Sequence, residues 1–388
     1  MRLKILLLLI TLCSSQLMAQ NRSIDSLINL LSATSDKAEK IALKCKISQG
    51  YTEIGEYGKG GELANEALVE ATEAKDEKGT GLAYYSLARL NQYRRDWDKA
   101  LIYHYQAIQL FDAVDSHEDL AWTYLNMGIA FHAQKDYKRS IRYVGKALEI
   151  FKKIKHDQGV AYSLLNLGLP LHEYGSTDSA ITRLLDAKKI CMKIGDMRGV
   201  GYVHNIMGEI FLKTEKLDKA LIEYSDNIII RTKENDKRDL SFCYGSAGRI
   251  YFKQGLPKKA EIALETGAQF GIEIKANLSL KNIYLTWSQL DSLNGNHQAA
   301  YVHFKRYNHF ESLLSTEEQE RKIVALQYNF DAKQKEQEEK FLETQKEMEM
   351  KNLAVSSDSK NIQFALLATG SVIILLLVIL LFKKAKQN

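Results

Sequence analysis

The chain has 388 residues, 53 basic and 48 acidic side chains, a net charge of +5 and 45% hydrophobic residues. That hydrophobic share excludes a disordered polyelectrolyte, two prolines exclude a proline-rich rod, and four cysteines are too few for a disulfide scaffold. Arg2, Lys4, Lys383, Lys384 and Lys386 account for the whole of the +5, so the basic excess lies at the two ends and marks no nucleic-acid face between them.

Residues 1–19 read as a cleavable secretory signal. Arg2 and Lys4 form its basic start, residues 5–12 are an apolar run too short to span a bilayer, and Ala19 is the expected cleavage position. Cys13 raises a lipoprotein alternative, against which stands the bulky Leu12 before it. Cleavage leaves Cys45, Cys191 and Cys243, an odd set in separate repeats, expected as buried unpaired thiols. Residues 20–40 hold an amphipathic stretch with Ile24, Leu27, Ile28, Leu30 and Leu31, expected to cap the first repeat.

From 41 to 310 a forty-residue unit runs seven times. Ser48, Ala88, Gly128, Gly168, Gly208, Gly248 and Ser288 form one comb of small residues; Gly60, Ala100, Ser140, Ala180, Ala220, Ala260 and Ala300 form a second, twelve residues behind. Two combs in register predict an all-α fold, a solenoid of seven helical hairpins rather than a globule about one centre. The first comb is expected where the two helices of a hairpin cross, and the second where the second helix approaches the next hairpin. Polar turns such as Lys75-Asp76-Glu77-Lys78-Gly79 are expected to close each unit. Pro257 lies at the start of a second helix, where it is tolerated, while Pro170 is expected to kink or shorten a first helix.

Leu167-Gly168, Leu171, Ala180, Leu184 and Ala187 resemble the tetratricopeptide repeat family, as do Met207-Gly208, Phe211, Ala220 and Tyr224. The unit is longer than the family's common one of about 34 residues and lacks the usual closing proline. The resemblance implies that one stripe of each first helix lines a concave groove. Position two of the unit then supplies Trp122, Tyr162, Tyr202 and Phe242, and position six supplies Asn126 and Asn166, with Asn205 one step off. Position nine supplies Arg89, Glu209 and Arg249, and position twelve His132 and His172. Amides pair with the backbone of an extended peptide and rings pack its side chains. Ordinary packing between adjacent helices is the competing reading for the rings.

Residues 311–362 are rich in Glu, Lys and Gln. Ile323 and Phe330, then Phe341, Met348, Val355 and Ile362, keep a seven-residue step, which reads as a coiled coil with a stutter and as a route to a homodimer through 315–362. A solvated single helix is the competing reading. Residues 363–382 are apolar and uncharged, and at 1.5 Å per residue they reach roughly 30 Å, enough for one transmembrane helix. The basic tail 383–388 is then cytoplasmic, and the repeats face the periplasm as part of a single-pass inner-membrane protein.

No catalytic or cofactor motif occurs. Gly58-Lys59-Gly60-Gly61 lacks the phosphate-loop pattern and is expected in a turn, and His297, His303 and His309 step by six and point in different directions. The chain is therefore read as a non-catalytic scaffold or receptor, without cofactor or metal, for a peptide or protein partner. The alternative is the sensory input half of a signal transducer, because the order of segments resembles the input portion of Bacteroidetes-type receptors. Its output domain, a histidine kinase or a helix-turn-helix regulator, would be missing or on a separate chain.

Overall fold

A chain that stops and restarts a helix at short intervals needs a repeated stop signal, and the backbone supplies one every twenty residues. Five glycines, from Gly55 to Gly295, and eight other residues, among them Lys75, Lys135 and Lys275, take positive φ at that spacing. The N–H after each such residue bonds a carbonyl five residues back, as from Asp76 to Ala71 and from Asp136 to Phe131, both at 2.9 Å. At several of these stops Asp restarts the next helix: the carboxylates of Asp76, Asp136 and Asp196 accept from the N–H of Gly79, Arg139 and Gly199 at 2.9 Å each. The residues Glu77-Lys78-Gly79 are thus a first helical turn rather than a closing turn, because the cap sits at Asp76.

The computed structural model describes residues 24–316 and the isolated positions 340, 344 and 345. The secretory signal 1–19, the seam residues from Ile323 to Ile362 and the apolar run 363–382 lie outside the described residues. Residues 1–320 and 321–388 form separate units. Among the described residues of the first unit there are fifteen helices and no strand. Helix α1 spans 24–33 and lays buried Ile24 against Gly50. Seven hairpins come after it: α2 Lys37–Glu53 with α3 Tyr57–Glu73, α4 Glu77–Tyr93 with α5 Trp97–Ala113, and α6 His117–Ala133 with α7 Tyr137–Lys153. Next come α8 Asp157–Glu173 with α9 Thr177–Ile194, α10 Met197–Lys213 with α11 Leu217–Glu234, and α12 Lys237–Lys253 with α13 Pro257–Glu273. The last hairpin pairs α14 Asn277–Leu293 with α15 over 297–316. No helix among the described residues is long and apolar enough to cross a membrane.

Both combs meet at one crossing, that of the two helices of a hairpin. A Cβ on Gly128 would lie 2.4 Å from Val144 Cγ2 and 3.2 Å from the Ser140 carbonyl, so only hydrogen fits there. Gly168 and Gly208 likewise abut Leu184 and Tyr224. From the second comb, Gly60 faces Thr52 and Ser48, whose hydroxyl donates to the Gly60 carbonyl at 2.6 Å. The second comb therefore does not mark the contact with the next hairpin. That contact is made about three turns further on, where Phe151 fills the space above Gly159 and Cys191 that above Gly199.

The core is correspondingly elongated. One apolar cluster runs from Ala121 through Phe151, Leu184 and Phe211 to Ile250, and full burial of a ring such as Phe151 stabilises its junction by about 2 kcal/mol. Pro170 lies in the last turn of α8, which keeps the 17 residues of the first helices α6 and α10 and is not shortened. Gly58 to Gly61 belong to the first turns of α3 rather than to a turn between helices. Cys45, Cys191 and Cys243 are free and buried, and burial pushes their thiols up to about 12, 11 and 12.

Candidate functional site

Each first helix spends one side on its hairpin partner, and the opposite stripe is left to line open space. Positions two, five, six and nine of the unit make that stripe, and it opens into two cavities. The first, about 510 Å³, is lined by α2, α4, α6 and α8. It brings together Arg89, Trp122, Asn126, Tyr162 and Asn166. The second, about 670 Å³, lies along α10, α12 and α14 above Tyr224 and gathers Glu209, Phe242 and Arg249.

In the first cavity the rings both pack and line. Trp122 meets Phe151 edge-on at 4.9 Å and Tyr162 at 6.4 Å, yet both rings are only half-buried and keep a face on the cavity. Burial, then the nearby Asp196 charge, pushes the Tyr162 phenol up to about 12, so it stays a neutral donor. The two asparagines differ. Asn126 spends its amide hydrogens on the Tyr85 hydroxyl and the Trp122 carbonyl, at 2.9 Å each, which leaves its carbonyl. Asn166 donates only to the Tyr162 carbonyl at 2.8 Å and so keeps one N–H and its C=O for another molecule.

Arg89 is held in place by donating to Gln49 Oε1 at 3.1 Å and to Glu53 at 2.9 Å, while Gln49 donates to the Ser86 hydroxyl at 3.1 Å. Lys46 and Asp119 complete a wall with one cationic and one acidic side. Lys46, Gln49 and Tyr85 were missed by the sequence reasoning, although they sit at positions six, nine and five of their units. Extending the same register to the first repeat would have found Lys46 and Gln49.

Four candidates line neither cavity. Tyr202 covers the Arg231 guanidinium at 5.0 Å, and Asn205 accepts from Asn227 at 2.6 Å inside the α10–α12 junction. His172 shares a hydrogen bond of 2.9 Å with Thr177, and His132 packs on Tyr137 at 5.7 Å. Burial holds His132 below the ordinary imidazole range despite the pull of Glu173 and Glu209. These two histidines sit near the ends of their helices, at the rim.

Residues 79–153 and 119–193 match the tetratricopeptide repeat family. No curated protein matches the chain in sequence. Among solved structures, aspartyl phosphate phosphatase F from Bacillus subtilis is similar at 16% identity and a TM-score of 0.56, over 71% of this chain and 70% of that one. A Rap protein complexed with competence and sporulation factor is similar at 12% identity and a TM-score of 0.55, over 77% of this chain and 99% of that one. The apo quorum sensor NprR from B. thuringiensis follows at 13% identity and 0.52, over 78% and 95%. At such identities the likeness is one of fold. Residues 79–193 are thus repeats of the tetratricopeptide type, and the hairpins stacked before and after them repeat the same fold.

Proposed function

We propose that this tetratricopeptide-repeat protein is a non-catalytic scaffold that binds an extended peptide, or an extended segment of a protein partner, along the stripe of its first helices. The observation that carries this is the first cavity, where half-buried rings stand beside an amide with unused donor and acceptor capacity. An extended chain needs both: Asn166 matches a peptide group, and Trp122 and Tyr162 take the alternate side chains. Arg89, Gln49 and Asn126 are already fixed by internal hydrogen bonds, so little side-chain freedom is lost on binding.

Anchoring by residues 363–382, with the repeats outside the cytoplasm, is part of the same proposal and is supported by the sequence pattern. A second reading keeps the groove and adds an output on another chain, a sensor rather than a scaffold. It is favoured by the likeness in fold to a quorum sensor.

A photoreactive residue in place of Tyr162, in the full chain in its own cells, tests the groove. Tyr162 is expected to crosslink a partner that the same residue at Leu185, exposed at 49% on a second helix, does not capture. Capture from Leu185 alone would place binding on the other face.

A further inference from the structure

The second cavity carries its charge differently from the first. Glu209 pairs with Lys213 at 2.9 Å and Glu215 with Lys253 at 2.7 Å, so both lining carboxylates are neutralised within the wall. Arg249 lines the same cavity, is exposed, and has no ion-pair partner among the described residues. Ser246, Asn282 and Gln289 stand on the same wall as neutral hydrogen-bond donors. An unpaired guanidinium among neutral donors favours an anion, which it can grip in a bidentate way.

The two cavities use the same register positions. Phe242 is the counterpart of Trp122 at position two, and Arg249 the counterpart of Ile129 at position nine. They therefore open on one stripe. Trp122 on α6 and Arg249 on α12 are three first helices apart. Packed helices stand about 8–10 Å apart, and the seven positions between Trp122 and Arg249 in the register add roughly 10 Å along the axis, so the span is roughly 26–32 Å, which an extended chain covers in about eight or nine residues.

We infer that the bound peptide is read at two points: an apolar or aromatic side chain in the Trp122 cavity and, about eight residues along the extended chain, an anionic group on Arg249. This rests on the groove reading above. The anion is a carboxylate or a phosphate, and the same chemistry suits both.

Fluorescence anisotropy with the full chain tests it, using synthetic peptide mixtures of randomised uncharged sequence. Each carries one fixed Trp and one fixed Glu, in either order, with about four, eight or twelve residues between them. The spacing of about eight is expected to bind about tenfold more tightly than that of four. Glu replaced by Gln in the peptide, or Arg249→Gln in the protein, should each remove that gain, and the two together should remove no more. Phosphoserine in place of Glu separates the sources: tighter binding identifies a phosphorylated partner, equal or weaker binding a carboxylate. If peptides bind, but Glu and Gln versions bind alike and Arg249→Gln changes nothing, the two-point inference is overturned while the groove stands. If no mixture binds, the groove reading falls and the inference with it.

Discussion

His104 and Arg231 are both fully buried on the second helices of their hairpins, α5 and α11, where most of their counterparts are apolar. His104 stands in the place of Val144, Leu184, Tyr224 and Leu264, and neither ring nitrogen has a hydrogen-bond partner among the described residues. Burial, then the Arg89 charge, pushes its pKa down to about 3, so the ring is neutral. Arg231 stands in the place of Phe111, Phe151 and Cys191, and is compensated on every side. Its Nη1 reaches Glu234 at 2.7 Å, its Nε stands 2.8 Å from Asp239 as a charge contact rather than a well-aligned hydrogen bond, and Tyr202 covers its face. Gly201 makes the room, since a Cβ there would lie 2.6 Å from Arg231 Nη2. The repeat register thus demands volume at a crossing more strictly than it demands apolarity. One polar intrusion is tolerated without partners, and the other is built into the fifth and sixth hairpins as a connected cluster.

That contrast can be broken most forcefully at Arg231. Arg231→Met should destabilise by about 4 kcal/mol in urea unfolding, because it strands the carboxylate of Asp239 in a partly buried site. Adding Asp239→Leu should recover at least half of the loss. A loss below about 1 kcal/mol would mean the cluster is incidental.

The histidine should respond to pH instead. Its folded pKa is depressed while the unfolded value stays near 6.5, so the unfolded chain binds the extra proton between the two. Stability should therefore fall by about 2 kcal/mol from pH 7 to pH 5, a difference that His104→Leu should flatten in parallel melts. At pH 7 itself, His104→Leu should be neutral or stabilising by about 1 kcal/mol, since it removes two unsatisfied polar atoms. The smallest effect is expected outside both sites. Lys135→Gly relieves a left-handed backbone in a turn and should raise stability by less than about 1 kcal/mol, while the same change at Lys138, inside α7, should lower it.

Much of this fold was legible because close helix crossings tolerate only small side chains, and Gly128, Gly168 and Gly208 recur in step for that reason. Helix starts were less legible. Most of the left-handed stops are Lys, Arg, Glu, Asp or Asn rather than glycine, and the capping Asp76 and Asp196 look like ordinary turn residues in the sequence. The partner of the second comb was misplaced because spacing alone does not say which neighbour a helix face meets.

At the site, the stripe followed from register, but the cavities did not. The first is closed by Lys46 and Gln49 of α2, and the second by Asn282 and Gln289 of α14, in terminal units where the aromatic ladder breaks. The difference between Asn126 and Asn166 depends on a single tyrosine, Tyr85, within reach of one amide and not the other.

Hydroxyl-radical footprinting of the full chain, with and without a captured partner, bears most directly on the proposal that the first helices present the binding face. Protection is expected at Trp122, Tyr162 and Phe242, with Tyr105 and Tyr301 on second helices, exposed at 45% and 68%, unchanged. Protection confined to Tyr105 and Tyr301, with the three groove rings oxidised as before, would contradict it.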